Sequence, residues 1–516
     1  MATPHELPAA GPGAPTPPIA LAGDPSEATK HLTTKTVKVP PAVVERLSAV
    51  APTSIDAGER AEASRDWWPL AMTWALDNQV PNVAGAVVRP SAPEQVSDIL
   101  RICNEAKIPV TAAAGRSGVC GSSVPLYGGV VLDLCDLTGI RSVDDASLTV
   151  DVLAGTFGDH FETELRQKYA VTSGHWPQSV ALSTVGGWLA CRGAGQLSTR
   201  YGKIEDMVIG MDVTLADGSA ITTGGNARQA AGPDLNQLFV GSEGTLGVIT
   251  GARLRVHPVP IYERRGSYGF ASFQDGLEAC RRILRRGGTP AVLRLYDEVE
   301  SKRNFATEGV NVLLVLDEGE RGVVDPTMRI VDEECRHGDN LGRSLVGRWL
   351  SHRNNVDQLE QLIGGGLVVD TMEITGPWSK LPAIYGEAVK AITKVKGTLA
   401  ASAHLSHSYP DGACLYFTFA GKVEGDGATA AKDDYYRAVW DAGTHAVLGW
   451  GGSVSHHHGV GINRARFMRE ALDGGLDVLA AVKKALDPKG ILNPGKLGLA
   501  SPFGPNPFAE ASLPPA

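Results

Sequence analysis

Three consecutive histidines set between glycines, in GGSVSHHHGVG (451–461), are the residues of this chain best suited to chemistry. Imidazole titrates near neutral pH and also ligates metals, so His456, His457 and His458 offer proton transfer or metal ligation. In extended backbone His456 and His458 share one face and His457 takes the other, which leaves both chemistries open. A second group of residues is suited to binding. In GHWPQSVALSTVGGWLACRGAGQLSTRYG (174–202), Ser183, Thr184, Gly186 and Gly187 offer hydroxyls and unobstructed amides, as a pyrophosphate or an isoalloxazine edge requires. GSEGTLGVIT (241–250) repeats the theme, with Gly241, Gly244 and Gly247 around Glu243. No strand–GxGxxG–helix unit of the dinucleotide type occurs.

Regular elements must hold these loops in place. MDVTLADGSAITTG (211–224) alternates in the strand manner around Asp217-Gly218, which predicts a type I′ hairpin between the two glycine-rich segments. SAPEQVSDILRICNEAKIPV predicts a helix with Ser91 as N-cap and Pro93 in the first turn; Val96, Ile99, Leu100 and Cys103 follow at helical spacing. The strand IPVTAA then leads into a third loop, AGRSGVCGSS (114–123). The prolines of HPVPIYERR (257–265) mark a boundary, after which strands and helices alternate in a second α+β domain over residues 261–450. Residues 451–500 follow as a C-terminal segment ending in DPKGILNPGKLG, and the first domain, 36–260, opens with a helical lead-in segment. The Pro- and Ala-rich residues 1–35 predict a disordered tail, and 501–516 a loose one.

Composition narrows the functional classes. A chain of 516 residues exceeds one typical domain, and 43% hydrophobic with 20% charged residues suits a globular enzyme. A net charge of −9 argues against a nucleic-acid partner. Seven scattered cysteines form no CxxC pair, which favours a reducing compartment, and no secretory or S-K-L address is visible, so cytoplasm is expected. No apolar run approaches the ~18 residues of a transmembrane helix.

The two glycine-rich segments around a hairpin resemble the FAD-binding domain of the vanillyl-alcohol-oxidase and p-cresol-methylhydroxylase flavoproteins, over roughly residues 80–260. The resemblance implies an α+β fold in which two α+β subdomains hold FAD beneath an α+β cap. As cofactor residues it implies Gly115, Arg116, Ser117 and Gly118, then Pro177, Gln178, Ser179, Thr184, Gly186 and Gly187, and finally Ala194, Gly195, Glu243, Gly244 and Ile249. The third loop also resembles the RSGGH of berberine-bridge-type oxidases, with Val119-Cys120 where the flavin-linked histidine would stand. FAD is therefore expected to be non-covalent, and Cys120 a small buried residue.

Flavin-dependent D-2-hydroxy-acid dehydrogenases carry GEHGIG where this chain has HHHGVG, and a second histidine where it has Cys-Leu-Tyr (414–416). Two hard-metal ligands of that pattern are missing, so no metal is implied. Instead SHHHGVG, DGACLYF, GHWPQSxxxSTVGGW, GPDLNQLFVGSEGTLGVIT and LRLYDE together resemble the alkyldihydroxyacetonephosphate synthase family, from about residue 80 to 497. That resemblance implies exchange of the acyl group of acyl-dihydroxyacetone phosphate for a long-chain alcohol through a flavin N5 adduct. It assigns proton handling to Tyr416, ahead of Tyr409, and to His456, His457 and His458, with His457 foremost. Arg294 and Arg353 fall at phosphate-holding positions; surface salt bridges with Asp297 or Asp357 are the plainer alternative. A lipid substrate implies contact with a membrane surface and an apolar tunnel, for which WWPLAMTWAL (67–76) is the candidate; a homodimer is expected. The alternative function is an FAD-linked oxidase or dehydrogenase of a hydroxy acid or alcohol, passing hydride to N5 with the same tyrosine and histidine.

Overall fold

The computed structural model describes residues 10–17, 19–423 and 429–508. Short β-branched runs build the first sheet: β1 (Thr53–Ser54), β2 (Ala86–Val88), β3 (Val110–Ala113) and β4 (Val130–Asp133), in the order β1-β2-β4-β3 with β2, β3 and β4 parallel. Helix Pro93–Ala106 makes the crossover from β2 to β3 and buries Val96, Ile99, Leu100 and Cys103. Its N-cap is Ala92 rather than the expected Ser91. The Gln95 side chain reaches back and accepts from the N–H of Ser91 at 2.8 Å and of Ala92 at 3.2 Å, so no capping hydroxyl is needed.

The second sheet is antiparallel: β5 (Ile140–Asp144), β6 (Thr149–Leu153), β7 (Val208–Thr214), β8 (Ala220–Gly224) and β9 (Val248–Arg255), ordered β8-β7-β9-β6-β5. The β7–β8 hairpin forms where expected. Within Asp217-Gly218 only Gly218 has positive φ (84°), so the turn is not type I′, which needs both.

A seven-stranded antiparallel sheet forms the cap: β10 (Tyr262–Phe270), β11 (Val292–Tyr296), β12 (Asn311–Gly319), β13 (Asp339–Gly342), β14 (Val368–Pro377), β15 (Thr398–Ser408) and β16 (Gly412–Gly421), ordered β13-β10-β12-β11-β15-β16-β14. Strand alternation divides its two faces. Leu415, Phe417 and Phe419 of β16 pack with helices Leu381–Lys394 and Thr429–Gly449 in one core. Tyr416 and Thr418, on the other face, line a cavity against the first domain.

Three connections tie the chain together. Ile491 and Asn493 exchange backbone bonds with Val110 of β3 (both 2.8 Å), and the Lys496 ammonium donates to Val124 O at 2.7 Å. Residues 10–35 correct the expectation of a disordered tail from Met1 to Lys35. Trp67 Nε1 donates to Thr16 O (2.8 Å), Thr29–Lys30 pairs with Gln79–Val80, and His31 stacks on Trp74 while meeting Asp433 at 2.7 Å. Ile19, Leu21 and Leu32 are buried, so a few apolar anchors order a stretch that composition marks as loose. At the other end Tyr127 OH donates to Gly504 O (2.6 Å) and Phe508 sits edge-on to Trp68, so residues 501–508 are packed as well. Residues 1–9 and 509–516 lie outside the described residues. Among the described residues no helix is long and apolar enough to cross a membrane.

Candidate active site

A cavity of about 800 Å³ lies between the glycine-rich loops and the cap sheet. Gly115, Arg116, Ser117, Gly118, Pro177, Gln178, Ser179, Thr184, Gly186, Gly187, Ala194, Glu243, Gly244 and Ile249 all line it. Gly195 does not: a Cβ there would lie 2.4 Å from Trp176 N, so this glycine lets two backbone segments touch. Glu243 lines the cavity, but its carboxylate is taken by the loop opposite. It accepts from Val460 N at 2.6 Å and Gly461 N at 2.9 Å, which fixes the end of the histidine segment. Cys120 is buried and outside the cavity lining. Of the apolar 67–76 segment only Trp67 and Pro69 reach the cavity, because Trp68 turns inward and donates to Tyr436 OH at 3.0 Å. Val119, Leu182, Val356, Leu359 and Leu362 complete that apolar arm.

The histidine segment is not extended. Glu373, on β14 and fully buried, accepts the N–H groups of His456 (2.8 Å), His457 (3.3 Å) and His458 (2.5 Å), and curls three successive amides around one carboxylate. The alternation expected of extended backbone fails as a result. His457 and His458 line the cavity together, whereas His456 points behind them, Nε2 3.0 Å from Tyr409 OH. Tyr416 stands between His404 (ring centroids 4.9 Å, stacked) and His457 (6.0 Å). Tyr409 is absent from the lining.

Arg294 and Arg353 also line the cavity, and neither makes the surface salt bridge weighed above. Arg294 is buried on β11 and bonds His404 Nε2 (2.8 Å), whose Nδ1 meets Glu300 at 2.8 Å. Asp297 instead caps helix Glu298–Phe305, accepting from Glu300 N. The Asp357 side chain lies outside the described residues. Arg353 is stacked near Trp176 (5.1 Å) and Trp349 (5.6 Å), with one Nη buried and unpartnered.

Sequence reading missed Glu300, Glu373, His404 and His407. His404 and His407 are three apart, so a regular strand would send them to opposite faces. An irregularity between Leu405 and His407 brings His407 opposite Cys414, onto the face of His404, and no local sequence signal announces it. His175 lies in the glycine-rich segment 174–202, where residue type alone gives it no role.

Burial governs the titration of the site. It lowers His175 to about 3 and His458 to about 4, and holds His407, His456 and His457 well below the ordinary value of 6.5. Burial also raises the Asp66 and Asp370 carboxyls to about 7. Below pH 6.5 the unfolded chain protonates five imidazoles that the native chain leaves neutral. Against them stand buried carboxyls, Asp66 and Asp370 foremost, which hold protons only in the native state; the depressed imidazoles outnumber these two and favour unfolding. Stability is therefore expected to fall by about 1.4 kcal/mol per pH unit for each net proton as pH drops from 6.5 toward 4. Urea midpoints that stay flat across this window would contradict that assignment.

The cavity suits a flavin on its own chemistry. Both nitrogens of His175, Arg116 Nε and Arg353 Nη1 are buried without protein partners, as polar atoms left for a ligand would be. At Gly244 (φ 70°) a Cβ would meet only Ala112, at 3.7 Å, which leaves the backbone open to close approach.

Comparison with known proteins agrees. Residues 84–224 match the FAD binding domain model, and 259–497 the C-terminal domain model of FAD linked oxidases. The chain is 30% identical over 437 residues to the uncharacterized FAD-linked oxidoreductase YgcU of Escherichia coli O157:H7, covering 80% of this chain and 89% of that one. It is 29% identical over 459 residues to the alkyldihydroxyacetonephosphate synthase of Dictyostelium discoideum, covering 81% and 74%. Among solved structures, an alkyldihydroxyacetonephosphate synthase matches with a TM-score of 0.73 at 24% identity over 93% of this chain and 88% of the other. p-Cresol methylhydroxylase matches with 0.73 at 19% over 91% and 99%. The chain thus belongs to the FAD-linked oxidase family: it is a flavoenzyme of the p-cresol-methylhydroxylase fold, and FAD is its cofactor.

Proposed function

We propose that this flavoenzyme exchanges the acyl group of an acyl-dihydroxyacetone phosphate for a long-chain alcohol, in the manner of alkyldihydroxyacetonephosphate synthases. The observation that carries this reading is the pair of buried guanidiniums, Arg294 and Arg353, in the same cavity as Tyr416 and His457. Burial pulls Arg353 down to about 10 although the Glu318 and Glu263 carboxylates work against the shift, and a phosphate would bring a matching fork of oxygens to its buried, unpartnered Nη. The apolar arm from Trp67 to Leu362 suits an alkyl chain.

FAD, which the glycine-rich loops would hold, would supply an electron-accepting ring nitrogen. The chain's own residues hold the protons. His457 is neutral, because burial and the neighbouring imidazoles disfavour its charged form, and it is the base. Burial keeps the Tyr416 phenol protonated, so it donates to the leaving or entering oxygen.

Anaerobic incubation with palmitoyl-dihydroxyacetone phosphate and hexadecanol is the test, read by product mass beside the flavin spectrum. Alkyl product with the flavin left oxidised supports the transferase. Bleaching by hydroxy acids or alcohols, without alkyl product, moves the assignment to an oxidase or dehydrogenase. Arg353→Met is expected to raise KM for the phosphate-bearing substrate by roughly 10- to 100-fold, from the loss of one charged hydrogen-bonding partner. A substrate lacking the phosphate should show no such change.

A further inference from the structure

Behind Tyr416 the fold gathers His407, Cys414, His456 and His457, one ligand atom from each, all within 4.8 Å of one another. His407 and Cys414 are cross-strand partners on β15 and β16, and the two other histidines arrive on the curled loop. His407 is buried, and its Nε2 has no partner among the described residues. Its Nδ1 is held by Ser406 Oγ at 2.8 Å, while His456 Nε2 is held by Tyr409 OH at 3.0 Å. Each outer hydrogen bond fixes a ring and leaves its other nitrogen facing the cluster, the arrangement that orients imidazoles toward a metal. His456 Nδ1 and His457 Nδ1 stand 2.9 Å apart, hydrogen-bonded to each other, so an ion binding both would replace the proton they share.

We propose that these four side chains form a tetrahedral site for a divalent cation of the zinc class, bound by three imidazoles and one thiolate. The set contains no carboxylate, so it differs from the His/Glu pattern of hydroxy-acid dehydrogenases and disfavours magnesium and calcium. Bonds of ~2.1 Å to nitrogen and ~2.3 Å to sulfur give ligand–ligand edges of roughly 3.5 Å, so the widest separations close by about an ångström while the His456–His457 pair opens by about half as much. The ion takes the Cys414 sulfur as thiolate and displaces its proton to solvent. With four protein ligands the ion has no open position for substrate. It occupies the lone pair of His457 and silences the base assigned above; that last consequence alone rests on the proposed function.

The experiment takes the purified flavoprotein, strips it with a chelator and titrates Co²⁺. The expected result is one Co²⁺ per chain, with tetrahedral ligand-field absorption to the red of the flavin bands and displacement by Zn²⁺. Cys414→Ser and His407→Gln should each weaken Co²⁺ binding by roughly ten- to hundredfold, with an unchanged flavin spectrum reporting the fold. Absence of the ligand-field signal, or equal binding by flavin-retaining Cys414→Ser, overturns the site. Co²⁺ binding of the expected kind by a protein that makes no alkyl product supports the metal site and counts only against the transferase.

Discussion

Glu373→Gln is expected to destabilise the chain by about 3–5 kcal/mol, because it leaves the charge of Arg464 buried without its counter-ion. Both side chains are inaccessible to solvent, and Arg464 Nη1 meets the carboxylate at 3.0 Å. The same carboxylate also accepts from Ser455 Oγ and from three successive backbone amides, so its loss frees the whole histidine loop. Thermal unfolding followed by far-UV circular dichroism should show a midpoint lower by roughly 3–5 °C. The flavin should be released at the same temperature as the fold is lost, since Glu243 ties this loop to the cofactor cradle. A midpoint within a degree of the parent protein would mean that the loop is held by other contacts.

Tyr416→Phe should lower kcat by roughly 10²- to 10⁴-fold while leaving KM nearly unchanged. The substitution removes one hydroxyl and keeps the ring, so the stack on His404 at 4.9 Å and the fold of β16 persist. In the proposed function the phosphate end is held by Arg294 and Arg353, cavity residues that the change does not touch. The split between kcat and KM separates proton donation from packing, because a ring serving only as core would move neither once the fold is intact. Should kcat fall by less than threefold, the proton passes by another route, and Tyr409, bonded to His456, is the next residue to replace.

The cofactor half of this site was legible in the sequence because its chemistry is local. Glycines and cap hydroxyls within one loop specify that loop's own shape, so fourteen of the fifteen expected cofactor residues line the cavity. Gly195 failed because the pattern cannot tell a glycine that meets a ligand from one that meets another backbone. The proposed catalytic half was legible by residue type and not by direction. Which histidines face the cavity is decided by Glu373, whose bond to His456 spans 83 residues. His407 is re-aimed by one extra residue in a strand, a displacement that period-two reasoning cannot register. The N-terminal stretch was misjudged for the same reason: its order comes from Trp67, Trp74 and Asp433, all distant in sequence, and not from its own composition.

The return of Ile491 and Asn493 to β3 bears on biosynthesis. The sheet that carries the first cofactor loop is synthesised early, yet two of its edge bonds come from residues made after the entire cap. Asn493 also donates to Ser122 O and Glu243 O, bridging two loops of the cradle. Translation at ~5–20 residues per second favours N-terminal domains folding first. Here the ribosome must finish the cap before the cradle acquires its last bonds, so flavin loading is a post-translational step. Nascent chains arrested before Ile491 should emerge colourless, and flavin content in a cell extract then counts completed chains.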